Sequence, residues 1–143
     1  MIGRILAVDL GTRRIGLAIS DPIGITAQPL PTLQTKGWKI TVEKISSIAE
    51  EHEVQSFVVG LPLRMDGSSG PEARQAERFA EKLRQATNLT VRTWDERLTT
   101  IMSERSLIES GRSRKKRRAA IDSAASILIL QSYLDYLNNK KLV

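Results

Sequence analysis

Acidic residues that close apolar segments are the best candidates for chemistry in this chain of 143 residues. Asp9 ends an apolar run that starts at Arg4, and Asp95 and Glu96 directly follow a second run, which closes at Trp94. Each run is predicted to be a strand. A lone buried carboxylate is costly, so these acids are expected to be solvated in a cleft, hydrogen-bonded or bound to a cation.

Asp122 poses the same problem on a predicted helix. It is the only charged residue between Ala119 and Ser132. One interpretation is that Asp122 lies in the first turn of the helix, where a carboxylate interacts favourably with the helix dipole. The other is a functional role, in which the helix brings Asp122 beside Asp9 and the Asp95–Glu96 pair.

Such a group of carboxylates supports metal-assisted hydrolysis of phosphodiesters. The carboxyl ends of parallel strands meet at one edge of an open sheet, so Asp9 and the Asp95–Glu96 pair converge if their strands are neighbours. Carboxylates that share a site repel one another unless a hard divalent cation binds them, and Mg²⁺ or Mn²⁺ prefers oxygen ligands. Two such ions can activate water and stabilise the leaving oxygen of a phosphodiester.

The composition excludes several other kinds of site. The chain has no cysteine and one histidine, which excludes thiolate and zinc sites and a Ser-His-Asp triad. His52 lies among glutamates at a predicted helix end and is expected to be on the surface. The absence of cysteine favours a reducing compartment, and the first apolar run is too short for a signal sequence or a membrane span. A cytoplasmic protein without a membrane contact is therefore expected.

The excess positive charge is concentrated in the last third of the chain. The net charge is +6; residues 97–143 carry 10 basic and 4 acidic residues, while residues 1–96 are neutral. A local field of this kind attracts polyanions such as nucleic acids, and a merely solvated loop is the alternative interpretation. Six of seven consecutive residues are basic: Arg112, Arg114, Lys115, Lys116, Arg117 and Arg118.

Hydrophobic periodicity predicts the elements that position these residues. Three strands are expected first, over residues 4–10, 15–20 and 25–33. The third is expected to lie at a sheet edge or to finish early, because Pro29 and Pro31 cannot donate ladder hydrogen bonds. The first two are close enough along the chain to form a hairpin.

Helices and strands alternate in the rest of the chain. Together with the first three strands they predict one α/β domain over residues 1–143, with a mixed five-stranded sheet flanked by helices. In order, these elements are a helix over 37–53, a strand over 54–60, a helix over 71–87, a strand over 89–94, a short helix from Thr99 or Thr100 to Gly111, and a long helix over 119–137.

Four short motifs extend over nearly the whole chain, and their order and spacing are more specific than any one of them. They are Ala7-Val8-Asp9-Leu10-Gly11 with Arg14-Ile15-Gly16-Leu17-Ala18; Gly60-Leu61-Pro62 with Gly67 and Gly70; Asp95-Glu96-Arg97-Leu98-Thr99-Thr100; and Asp122-Ser123-Ala124-Ala125 with Ile129-Leu130-Gln131. Together the motifs resemble the YqgF family, also called RuvX, of the ribonuclease H-like superfamily. In that fold three antiparallel strands precede alternating helices and strands.

The resemblance implies a metal-dependent nuclease with Asp9, Glu96 and Asp122 as its catalytic acids and as ligands of Mg²⁺ or Mn²⁺. Asp95 competes with Glu96, since strand alternation points only one of the two at the metal. By the same resemblance, the substrate is structured RNA, in 5′-end processing of precursor 16S ribosomal RNA. The alternative is a Holliday junction resolvase on branched DNA, which needs a homodimer. The expected backbone contacts are Arg13, Arg14, Arg97, Arg114, Lys115, Lys116, Arg117 and Arg118.

The sequence departs from the superfamily at the end of the fourth predicted strand. Superfamily nucleases often carry an acid there, whereas this strand ends Gly60-Leu61-Pro62 and the nearest acid is Asp66. Two functions of other classes stay open. One is a nucleic-acid-binding module without catalysis. The other is nucleotide binding, because Asp9-Leu10-Gly11-Thr12 also resembles the first phosphate motif of actin and the sugar kinases.

Overall fold

A computed structural model of the protein describes residues 3–97 and 114–141, and in the second range it describes side chains from residue 124 to residue 139. The strands are β1 (Arg4–Leu10), β2 (Arg14–Ser20), β3 (Ala27–Gln34), β4 (Val54–Leu61) and β5 (Thr90–Asp95). Within the described residues they form one sheet in the order β3-β2-β1-β4-β5. The β1–β2 and β2–β3 pairs are antiparallel, and the β1–β4 and β4–β5 pairs are parallel.

In the described ranges, three helices cover the two faces of the sheet. They are α1 (Trp38–Glu51), α2 (Pro71–Thr87) and α3 (Arg114–Lys141). Helices α1 and α2 pack on one face around a core that includes Phe57 and Phe79, whereas α3 packs on the other face, with Ile129 in its core. The helix α2 starts with Pro71 at its first position, where the missing N–H costs nothing, and it ends at Asn88 in the left-handed conformation.

The alternation of side chains along β1 explains both cores. Leu6 and Val8 point to the face of α1 and α2, and Ile5 and Ala7 point to the face of α3. Asp9 continues the second series. The acid that ends β1 is therefore on the same face of the sheet as α3.

The predicted α/β fold with its mixed five-stranded sheet is confirmed, as is the edge position of β3. In the described part of the chain β3 pairs with β2 alone. The strands and the first two helices lie within two residues of their predicted bounds.

The predicted start of the last helix at residue 119 is wrong, because α3 begins at Arg114. Arginine and lysine are good helix formers, so residues 114–118 form the first turns of α3 and not a loop before it. The predicted helix between Thr99 or Thr100 and Gly111 lies outside the described residues. Among the helices of the described ranges, none has the length and apolarity that a membrane crossing requires.

Candidate active site

Asp9 lies between two glycines of the neighbouring strands. It pairs directly with Gly16 of β2. On its other side Val8 pairs with Val59 of β4, so Asp9 and Gly60 follow side by side. A glycine inside a strand often marks a close approach by another group. The half-buried carboxylate of Asp9 is therefore flanked by bare backbone on both sides.

The space over Gly60 is filled by Glu96. Glu96 follows β5, and its backbone N–H donates to the carbonyl of Leu61 at 3.3 Å. A Cβ at residue 60 would collide with Oε2 of Glu96 and would lie 2.8 Å from Cδ1 of Ile129. The missing side chain of Gly60 thus lets the carboxyl of Glu96 cross β4 towards Asp9.

Glu96 and Asp95 point to opposite faces of the sheet. The partly buried Trp94 packs into the α3 core, and Glu96, two residues later, is on the same face. Asp95 is exposed on the other face, where the guanidinium of Arg97 binds it. Of the two competing acids, it is Glu96 that meets Asp9.

The two carboxyl groups interact strongly. The pKa of Glu96 is raised to about 8, first because the side chain is buried and then because of the charge of Asp9 and a hydrogen bond between the two groups. Asp95 adds a smaller repulsion. The pair therefore retains one proton near neutral pH, and the protonated Glu96 donates to the Asp9 carboxylate.

Arg97 ties the end of β5 to the loop of residues 62–70. Its guanidinium donates to both carboxylate oxygens of Asp95, at 2.6–3.1 Å, and to the carbonyl of Met65 at 3.3 Å. This ion pair lowers the pKa of Asp95. The predicted contact of Arg97 with nucleic acid stays a prediction, since here the side chain binds the protein itself.

Asp66, the acid nearest to the end of β4, has a structural role in the same loop. Its Oδ1 accepts hydrogen bonds from the backbone N–H of Ser68 at 2.9 Å and from the hydroxyl of Ser68 at 2.6 Å. These bonds lower the pKa of Asp66. The side chain is exposed and does not reach the Asp9–Glu96 pair.

Two of the predicted nucleic-acid contacts lie in the turn after β1. Arg13 and Arg14 are exposed in the β1–β2 turn, which the N–H of Gly11 closes by donating to the carbonyl of Arg14 at 2.9 Å. A Cβ at Gly11 would lie 2.5 Å from that carbonyl oxygen, so the tight turn requires glycine here. Both arginines therefore stand at the carboxyl edge of β1, beside Asp9.

Helix α3 runs antiparallel to β1, β4 and β5. Ile129 lies next to Gly60, and Asn138 donates to the carbonyl of Gly24, which is beyond the opposite end of β1. The beginning of α3 is consequently at the carboxyl edge of these strands. Asp122 is seven residues before Ile129 in α3, about 10 Å along the helix axis. Its side chain, and those of Arg114, Lys115, Lys116, Arg117 and Arg118, lie outside the described side chains.

The donor set around Asp9 suits a hard divalent cation. Two carboxyl groups, half-buried and in contact, repel each other when both are ionised, and a cation would replace the proton that they share. Among the described side chains, no cluster of three or more His, Cys, Asp and Glu residues could hold a metal ion. The predicted third ligand, Asp122, is not among them.

The half-buried His52 is remote from these acids. His52 lies beside a cavity of about 430 Å³ near Arg4 and Gln55, at the start of β1 and β4. The acids lie at the other end of these strands.

Sequence reasoning missed the roles of Gly16 and Gly60, although two glycines inside otherwise apolar strands are a signal of close approach.

Two solved structures of other proteins share the fold of this chain. A structure of T. thermophilus RuvC in complex with a Holliday junction substrate superposes with a TM-score of 0.61 at 9% identity, over 96% of each chain. The Fowlpox virus resolvase in complex with its Holliday junction DNA has a TM-score of 0.58 at 15% identity, over 94% of this chain and 98% of the other. At these identities the likeness establishes the ribonuclease H-like fold alone.

Closer relatives are found by sequence. A protein of Pelotomaculum thermopropionicum is 50% identical over 133 residues, 92% of this chain and 86% of the relative, and one of Myxococcus xanthus is 46% identical over 132 residues, 92% and 87% respectively. Both carry the name "Putative pre-16S rRNA nuclease". The model of the family described as "RuvX: Holliday junction resolvase" matches residues 3–136. The chain belongs to the RuvX family.

Proposed function

We propose that this protein is a nuclease that hydrolyses phosphodiester bonds of RNA, in the processing of the 5′ end of precursor 16S ribosomal RNA. The observation that carries the proposal is the meeting of Asp9 and Glu96 across Gly60, at the strand edge where Arg13 and Arg14 are exposed. The names of the relatives supply the substrate.

Each group has a distinct part in this proposal. Asp9 and Glu96 would hold a divalent cation, Mg²⁺ or Mn²⁺, with Asp122 as the third acid. When bound, such a cation supplies a Lewis acid that activates water and neutralises the charge that develops on the phosphate. Arg13 and Arg14 would contact phosphates next to the cleaved bond. The basic first turns of α3 would extend this contact along the nucleic acid.

The test is cleavage of a precursor 16S leader RNA with Mg²⁺ or Mn²⁺, by the wild type and by Asp9→Asn and Glu96→Gln. Both variants are expected to lose cleavage, at least ~100-fold as is usual for a removed catalytic group. Asp9→Asn is expected to keep or gain RNA affinity, because a negative charge near phosphate disappears. Glu96→Gln is expected to keep it, because the protonated Glu96 carries no charge near neutral pH. Asp66→Asn is the matched control, since Asp66 lies in the neighbouring loop and should leave cleavage unchanged.

Cleavage that persists in Asp9→Asn would refute the proposed site. Equal loss of cleavage and binding in Asp9→Asn would indicate misfolding, which circular dichroism of the same samples would reveal. Salt-sensitive binding without cleavage by the wild type would favour the alternative of a binding module.

A Holliday junction resolvase is the second candidate, favoured by the family's description and by the fold shared with junction-bound resolvases. A four-way DNA junction in the same assay distinguishes the two. A resolvase cuts two strands symmetrically and requires a homodimer. Junction cleavage by a dimer, without cleavage of the leader RNA, would replace the first proposal by the second.

A further inference from the structure

An aromatic cluster joins β5 and α3 beside the candidate active site. The rings of Trp94 and Tyr133 are 5.4 Å apart in an edge contact, and those of Trp94 and Tyr136 are 5.4 Å apart at 54°. The cluster contains three of the chain's six aromatic residues. Tyr133 is buried, Trp94 is partly buried, and Tyr136 is 49% exposed. One side of the cluster is therefore open to solvent.

The cluster is on the same face of the sheet as Glu96. Trp94 precedes Glu96 by two residues, about 6.6 Å along a strand, and Arg92 precedes Trp94 by two more. Arg92 is exposed and forms a hydrogen bond with Tyr133. Glu96, Trp94 and Arg92 thus form a row along β5, which is the outer strand of the sheet within the described ranges.

The ring geometry leaves aromatic surface available. Tyr136 is 49% exposed, so part of its ring faces solvent, while the partly buried Trp94 contacts Tyr133 edge-on and Tyr136 at a tilt. An aromatic surface next to an exposed guanidinium and the proposed nuclease site suits an unpaired nucleotide. Its base would stack on the rings, and its phosphate would contact the guanidinium of Arg92. An apolar protein partner would have to bury the charge of Arg92, which is unfavourable.

We propose that Trp94 and Tyr136 form a stacking platform for an unpaired base of the RNA strand, one or two nucleotides from the bond that is cut. This inference rests on the proposed nuclease function and deepens it, because it makes single-stranded RNA beside the cleaved bond the preferred substrate. Arg92 contacts the phosphate of the stacked nucleotide. Duplex RNA, whose bases are paired with each other, does not use the platform.

The test measures binding of a 12-nucleotide single-stranded RNA in EDTA, where no cleavage is needed. Replacing Tyr136 by Leu keeps an apolar side chain and removes the ring. Its affinity is expected to fall roughly 5- to 100-fold, the range for the loss of one stacked base, while Tyr136→Phe binds like the wild type. The matched control is Ile40→Ala on α1, since Ile40 is similarly exposed at 46% on the opposite side of the sheet.

Two further arms separate stacking from a merely structural role. An RNA of the same length with abasic nucleotides should bind Tyr136→Leu and the wild type equally, and a 12-base-pair RNA duplex should do the same. In a Trp38→Phe background Trp94 is the only tryptophan, and its fluorescence should be quenched by single-stranded RNA but not by the abasic strand.

Equal affinity of Tyr136→Leu and the wild type for the base-containing strand would overturn the platform. An equal loss for the base-containing, abasic and duplex RNAs would overturn it as well, since that pattern indicates a distorted surface. These results leave the nuclease untouched if the Asp9-dependent cleavage is present. Conversely, a wild type that does not cleave but shows the Tyr136 effect would refute the nuclease and retain the platform.

Discussion

The proton shared by Asp9 and Glu96 should make the stability of the metal-free protein fall as the pH rises. The pKa of Glu96 is about 8 in the folded chain against an ordinary 4.5. Between these values the folded state binds more protons than the unfolded state, so the free energy of unfolding decreases with pH. The destabilisation starts above the unfolded pKa and is complete above about pH 8.

The size of the effect follows from one proton. A single group changes the free energy of unfolding by at most about 1.4 kcal/mol per pH unit, so the protein should lose on the order of 2–3 kcal/mol between pH 5 and pH 7. With a urea m-value of about 1–3 kcal/mol/M, the midpoint should shift by roughly 0.7–3 M. Glu96→Gln removes the titrating group and should flatten this slope.

The assay is urea unfolding in EDTA at half-unit steps from pH 5 to pH 8.5, followed by circular dichroism. Asp66→Asn is the control: the hydrogen bonds from Ser68 lower the pKa of Asp66, so its charge does not change in this window and the wild-type slope should persist. Identical slopes for Glu96→Gln and the wild type would refute a shared proton. Addition of Mg²⁺ should also flatten the wild-type slope, because a cation would displace the proton.

Three more substitutions test the packing around the site. Gly60→Ala should cost about 1–3 kcal/mol of stability and reduce cleavage. Adding Ile129→Val should recover stability but not cleavage, because the collision between the new Cβ and Glu96 stays. Urea unfolding and the cleavage assay check the two effects. Arg97→Lys keeps the charge but loses the bidentate geometry, so the free energy of unfolding should change by less than about 1 kcal/mol and cleavage should slow at constant RNA affinity. Weaker RNA binding in a filter assay would instead assign Arg97 to a phosphate contact. Phe79→Ala should cost about 3–5 kcal/mol in urea unfolding, and a smaller loss would mean that Trp38, 5.6 Å away, fills the space.

The strands were predictable because their patterns are local. The apolar run that ends at Asp9 predicts a buried strand from a few neighbouring residues. The prolines of β3 predict the edge position in the same local way. The start of α3 at Arg114 was missed because the basic run has no apolar periodicity, although arginine and lysine are good helix formers. Hydrophobic periodicity alone does not distinguish a solvated loop from the first turns of a helix.

The candidate site was predictable only in part. The sequence identifies Asp9, and the family resemblance prefers Glu96, but the strand pattern alone leaves Asp95 as a competitor because both acids follow the same predicted strand. The choice between them depends on which face of β5 packs against α3 and on the missing side chain at Gly60. Both α3 and Gly60 are distant in sequence from Glu96. The exposed ring of Tyr136 is a tertiary feature of the same kind, because it depends on the contact between α3 and Trp94 of β5.

The prolines of β3 also determine how two copies of the chain can meet. Pro29 and Pro31 supply no N–H, so a strand of a second molecule cannot complete a regular ladder along this edge. The opposite edge strand, β5, has only six residues. Edge-to-edge growth of the sheet, the usual start of strand-mediated aggregation, is disfavoured at β3. Two subunits that cut a branched substrate together would therefore not meet by pairing their β3 strands.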